Sequence, residues 1–195
     1  MIFALLCTKV SEMLLSFTIS NYRSFKNRKT LDLSAAVVKE YVENHDLQKV
    51  REIQKQILFD YRRDFSKHAP ENVVPRINMV WDSIPSQLAK ENRKFVYGAI
   101  KKGGRAAEFE MAIQWLLDAG LIYKVRRVTA AKMPLKFYEE QDVFKLFALD
   151  VGLMGAMVDI PASDVLVNDK AMVEDKGAFT ELYALSQIIP TGMPV

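Results

Sequence analysis

The chain has little of what usually announces chemistry. It holds one cysteine, Cys7, in 195 residues, which excludes an internal disulfide framework. Its two histidines, His45 and His68, stand alone, and no Cys/His grouping has zinc-ligand spacing. Long apolar runs are missing as well. The opening Ile2-Phe-Ala-Leu-Leu-Cys7 follows no basic residue and is too short for a secretory segment or a membrane span, so a cytoplasmic protein without membrane contact is expected. There is no phosphate loop. Such a loop needs Gly-x-x-x-x-Gly-Lys-Ser/Thr, so that backbone amides cradle the phosphates while Lys and a hydroxyl meet charge and magnesium. The nearest string, Gly98-Ala-Ile-Lys-Lys-Gly-Gly-Arg105, lacks both the Lys and the Ser/Thr at those places. No internal repeat or low-complexity segment is found, and no nucleophile–base pair stands out. The expectation is therefore a non-enzyme with no catalytic residue, no metal and no cofactor.

What is present is a large apolar fraction and an uneven charge. Half of the residues are hydrophobic, enough for a real core. The formal charge of +3 conceals a contrast. Between Lys90 and Lys136, eleven Lys and Arg face four carboxylates, so this stretch is +7 and the remainder −4. Concentrated Lys and Arg make a polyphosphate footprint, and a solvated face has the same composition.

Periodicity then divides the chain. Residues 13–26 alternate apolar and polar side chains, and Thr30-Leu-Asp-Leu-Ser34 alternates again after a polar turn, which predicts a β-hairpin over residues 13–36. From Val37 the period becomes helical. Leu47, Val50, Ile53, Ile57, Leu58, Tyr61 and Phe65 trace one face, with Asp46 as N-cap and Pro70 beyond the end. A second helix from about Pro75 places Ile77, Val80, Trp81, Ile84 and Leu88 on one side, with Pro85 kinking or dividing it. Later, residues 145–149 read as a short strand, 151–158 as a short helix capped by Asp150, and 173–188 as a helix with Phe179, Leu182 and Leu185 apolar.

The most informative stretch runs from Arg105 to Val128. Phe109, Ala112, Ile113, Leu116 and Leu117 fall at helical spacing, Gly120 supplies a left-handed stop, and Leu121, Tyr123 and Val125 alternate as in a strand. Gly103-Gly104 separates this helix from the short segment 95–102, and a second strand is expected over residues 135–139. Helix, turn, helix and hairpin in this order predict a winged helix-turn-helix, with Trp81 and Trp115 both in its core. Its expected phosphate contacts are Lys101, Lys102 and Arg105 at the turn, and Lys124, Arg126, Arg127 and Lys132 on the wing. A small α+β packing module with a solvated basic face accounts for the same pattern.

Several strings carry a resemblance. Lys49-Val-Arg-Glu-Ile-Gln-Lys-Gln-Ile-Leu58, Tyr61-Arg-Arg-Asp-Phe-Ser-Lys-His68, Trp81-Asp-Ser-Ile-Pro-Ser-Gln-Leu88, Trp115-Leu-Leu-Asp-Ala-Gly-Leu-Ile122, Lys145-Leu-Phe-Ala-Leu-Asp-Val-Gly-Leu153 and Gly177-Ala-Phe-Thr-Glu181 are such strings. Over them the chain resembles the carboxy-terminal part of prokaryotic AAA-type ATP-binding proteins that end in domain of unknown function 4143. Those proteins combine an ATPase module, a winged helix and a core similar to restriction-endonuclease-like nucleases. Residues 13–36, with Asn21-Tyr-Arg-Ser-Phe-Lys26, resemble instead the first strands of RecF-like and chromosome-maintenance ATPases.

The resemblance implies four parts: an ATPase-like strand pair over 1–36, a linking helix over 37–70, a winged helix over 71–160, and the start of a nuclease-like core over 161–195. It also implies that Glu181 matches an acidic position of that core. One glutamate cannot hold a catalytic cation, so Glu181 is expected to be an exposed helix residue. The fold expected is mainly α with a small antiparallel sheet. The function expected is that of a rearranged or truncated, non-catalytic relative that binds DNA through its basic face. The alternative is an interaction module that packs on an ATPase domain, a partner subunit or a second copy.

Overall fold

The computed structural model describes residues 29–90, 94–161 and 176–189. In chain order they form α1 (Lys29–Asn44), α2 (Leu47–His68), α3 (Val74–Ala89), α4 (Tyr97–Ile100), α5 (Ala106–Asp118), β1 (Ile122–Val128), a 3-10 turn (Leu135–Tyr138), β2 (Glu139–Ala148), α6 (Val151–Met157) and α7 (Lys176–Ile188). The two strands pair antiparallel. The protein is thus mainly helical with a small antiparallel sheet, the class its periodicity predicts.

One strand of the expected amino-terminal hairpin is overturned. Residues 30–34 belong to α1. Leu33, Val37 and Tyr41 recur every four residues, and a helix satisfies its backbone groups without a partner strand, so a short alternation cannot outweigh the longer period. The rest of that hairpin, like the start of the expected helix 173–188, lies outside the described residues.

A left-handed His45, at φ 55°, separates α1 from α2. The stretch 37–70 is therefore two helices rather than one. The Asp46 carboxylate accepts from the amides of Gln48 and Lys49 at 3.0 Å each, as an N-cap should. At the other end Ala69 is extended before Pro70, where the proline ring disfavours a further helical residue.

Pro85 does not divide α3, which continues to Ala89. A proline there removes one helix bond, but Ile77, Val80, Trp81, Ile84 and Leu88 on either side of it are all buried, and their packing holds the helix together. Trp81 is 1% exposed and meets the rings of Tyr61 and Phe65 edge-on at 6.2 and 5.9 Å. Trp115 sits differently. It touches Phe65 at 5.5 Å but is only half-buried at the margin of the core, not enclosed in it.

The hairpin also departs from expectation. Residues 135–138 are a 3-10 turn, not strand, and residues 145–148 are the end of β2 rather than a separate strand. Pairing Ile122 with Ala148, Lys124 with Leu146 and Arg126 with Phe144 puts the buried Phe144, Leu146 and Ala148 on one face. A hairpin closing at residues 135–139 would leave that apolar row without a partner strand. Phe95 adds a further link, its amide donating to the Phe144 carbonyl at 2.6 Å.

Candidate nucleic-acid interface

The helix–turn–helix segment is fastened from two sides. Gln87, buried on α3, accepts from the Val96 amide at 2.7 Å and donates to the Ser83 hydroxyl at 3.0 Å. With Phe95 bonded to β2, the entry to α4 is held against both α3 and the sheet. Tyr97 then stacks on Phe109 at 6.2 Å and meets Phe144 edge-on at 6.4 Å, so one aromatic cluster ties α4, α5 and the hairpin together.

The turn between α4 and α5 requires glycine. A Cβ at Gly104 would lie 2.8 Å from the Tyr97 carbonyl and 3.0 Å from that of Lys101, both backbone atoms that cannot step aside. Gly120 ends α5 at φ 68°, the left-handed stop expected there.

The seven expected phosphate contacts separate into two groups. Lys101 bonds Glu108 at 2.7 Å, Arg126 lies 3.6 Å from Glu139, and Arg127 pairs with Glu140. The Lys124 ammonium stands 4.1 Å above the Phe144 ring, a cation–π contact. Burial, followed by the neighbouring Arg126, holds its pKa below the ordinary lysine value. Lys102, Arg105 and Lys132 are exposed and make no ion pair among the described residues, and Lys136 joins them.

The reason for the split lies just past the basic stretch. Glu139, Glu140 and Asp142 begin β2, and the antiparallel register brings two of them back against Arg126 and Arg127. A charge count that stops at Lys136 misses them. Within the basic stretch, Lys102 and Arg105 at the turn and Lys132 and Lys136 in the loop between β1 and β2 stay without an ion pair among the described residues, as do Lys90 and Lys94 between α3 and α4. The outward face of α5 is different again, exposing Glu110, Met111 and Gln114, with Gln114 bonded to Asp118 at 2.7 Å.

Sequence reasoning missed a second polar cluster. Arg51 and Gln54 are buried on α2, and the Arg51 guanidinium donates to Gln54 and to the Gly152 carbonyl at 2.8 Å each. Beside them Asp150 caps α6, accepting from the Leu153 amide at 2.8 Å as expected. Burial pushes its carboxyl pKa upward against the weaker opposing pull of backbone amides and Arg51. A detectable signal existed, because Arg51 and Gln54 fall on the same helical stripe as Leu58, Tyr61 and Phe65.

A groove of about 480 Å³ opens between α2, α3 and the end of α6. Its rim charges close on one another, with Lys55 2.5 Å from Asp159 and Arg62 2.6 Å from Asp82. Glu181 is an exposed residue of α7, as expected, and bonds Lys145 at 2.7 Å. Among the described residues no three His, Cys, Asp or Glu gather as metal ligands, and no helix is long and apolar enough to cross a membrane.

No curated protein and no solved structure matches the chain. A family model for a domain of unknown function, DUF8612, matches residues 35–164, and its description names neither ATP binding nor nuclease activity. That match spans two thirds of the sequence, from α1 through the α4–α5 turn and the hairpin to just past α6, and the chain belongs to the DUF8612 family.

Proposed function

We propose that the protein is a non-catalytic nucleic-acid-binding module of winged-helix type. In this reading α3, α4 and α5 are the three helices, and β1, β2 and the loop between them are the wing. The observation that carries it is the set Lys102, Arg105, Lys132 and Lys136, which lie on the turn and the wing loop without acidic partners among the described residues. Exposed, unpaired cations at the turn and on the wing loop suit a polyphosphate backbone. The ion pairs of Lys101, Arg126 and Arg127 are exposed, so phosphate can exchange for their carboxylates at small cost.

Base reading is not part of the proposal, because the outward face of α5 presents Glu110 and Met111 rather than an array of donors. Binding should be largely nonspecific, with Kd of about 10⁻⁴ to 10⁻⁶ M near physiological salt. The likeness to AAA-type ATP-binding proteins fits a role in placing a partner ATPase on DNA in the cytoplasm. Duplex binding measured across salt concentrations tests the reading. Log K should fall linearly with log salt, and absence of binding at low salt would refute it.

A second reading rests on α5 itself. Met111 is 67% exposed between Glu110 and Gln114, a composition suited to a protein surface. A partner such as an ATPase domain or a second copy would bind there with little dependence on salt. Retention of the partner by a Met111→Lys variant would count against this.

A further inference from the structure

The loop joining β1 to β2 is closed at its base, where the Thr129 amide and hydroxyl both donate to the Tyr138 carbonyl, at 2.8 and 3.3 Å. Within it the Phe137 amide donates to the Pro134 carbonyl at 3.2 Å, within the 3-10 turn. This ordered tip displays two large apolar side chains to solvent. Phe137 is 83% exposed and Met133 79%, the two highest values among the exposed large hydrophobic residues described. Each is preceded by a lysine, Lys132 or Lys136, with no acidic partner among the described residues.

We propose that this tip is a base wedge: Phe137 and Met133 enter a base step of duplex DNA while Lys132 and Lys136 hold the flanking phosphates. The inference rests on the nucleic-acid reading above and goes beyond it, because the basic residues alone provide only backbone contacts. Charge chooses the occupant. Two unpaired ammonium groups beside two apolar side chains complement a ligand with anionic edges and an apolar interior, and stacked bases between phosphates are such a ligand. A closed loop suits the task, since less conformational freedom is lost when the ring is inserted.

Unstacking a step costs the duplex free energy, and that cost is smallest where pairing is already broken. The tip should therefore prefer a duplex with a mismatch over a perfect one, and Phe137 should carry the preference. The full chain and its Phe137→Ala variant are titrated with a mismatched duplex that holds a fluorescent adenine analogue, bright when unstacked, beside the mismatch. Phe137 is exposed, so the variant should melt like the parent.

The expected result is that F137A binds at least about fivefold more weakly, the lower end of what stacking of one base on an aromatic ring contributes. The slope of log K against log salt should stay the same, because every phosphate-binding cation is retained, and the brightening should disappear. Equal binding by parent and F137A without brightening in either overturns the wedge but leaves the phosphate reading intact. No duplex binding by the parent at low salt overturns both. Capture of the parent but not F137A by anionic phospholipid vesicles, with no brightening on DNA, overturns the wedge in favour of a lipid-facing tip.

Discussion

The two halves of α2 bury the same stripe of one helix in opposite ways. Toward its carboxy end Ile57, Leu58, Tyr61 and Phe65 pack into apolar surroundings around Trp81. Toward its amino end Val50 is joined by Arg51 and Gln54, and Arg51 donates both to the Gln54 side chain and to the carbonyl of Gly152 at the start of α6. An apolar contact asks only for volume and shape, so alternatives of similar size suffice. A polar one asks for a partner at a given distance and angle, and its removal leaves a desolvated group behind. Helical period places both halves inside, but only the first half reads as core by composition.

Removing bulk from the apolar half should have the largest effect. Trp81→Ala should cost about 3 to 5 kcal/mol of stability in urea denaturation. Trp115→Ala, at the margin of the same core, should cost less, about 1.5 to 3 kcal/mol. Equal losses would mean that both rings are enclosed, and would remove the distinction drawn between them.

The polar half can be broken or by-passed. Arg51→Ala leaves the Gly152 carbonyl and the Gln54 side chain without their donor and should cost about 1 to 3 kcal/mol. Arg51→Met keeps much of the volume and should recover part of that loss, as apolar replacements of buried polar groups often do. If methionine is no better than alanine in denaturant, the guanidinium bonds rather than the packing hold α2 to α6.

Asp150 sharpens the comparison through pH. Burial raises its folded pKa above the ordinary carboxylate value, so the fold favours the neutral acid. That contribution to stability is fully present below the unfolded pKa and is lost as pH rises through the folded one. Asp150→Asn, which still caps a helix, should therefore gain on the parent toward neutral pH and lose that advantage in acid. Melting temperatures across this range should converge at the acid end. A parent more stable than the variant near neutral pH would mean that the ionised form is the one the fold prefers.

The exposed cations should matter least to stability. Replacing Lys102, Arg105, Lys132 and Lys136 together by Ala should change stability by roughly 0.5 kcal/mol or less per site. The same variant should flatten the log K against log salt slope by up to about four, one for each phosphate-binding cation removed. A destabilised variant with an unchanged slope would move these residues from the binding face to the packing of the fold.

Local rules were legible wherever a residue's role depends on its near neighbours. The Asp46 and Asp150 caps, the Gly120 stop and the buried faces of α2, α3 and α5 all follow from spacing over one or two turns. Part of the candidate site was legible in the same way, since Lys102, Arg105 and Lys132 stand where the pattern puts them. Its charge balance was not. Arg127 and Glu140 are thirteen residues apart in sequence, and only the hairpin register decides that they meet.

By itself, the sequence determined the helical periods, the capping residues and the class of fold, because these arise from steric and hydrogen-bonding preferences expressed within a few residues. The tertiary structure alone decided which cations stay free, that Arg51 reaches the Gly152 carbonyl 101 residues away, and that residues 145–148 continue a strand begun at Glu139. Those outcomes are pairings between distant segments. Their free energies depend on distance, register and burial, which exist only once the chain has folded.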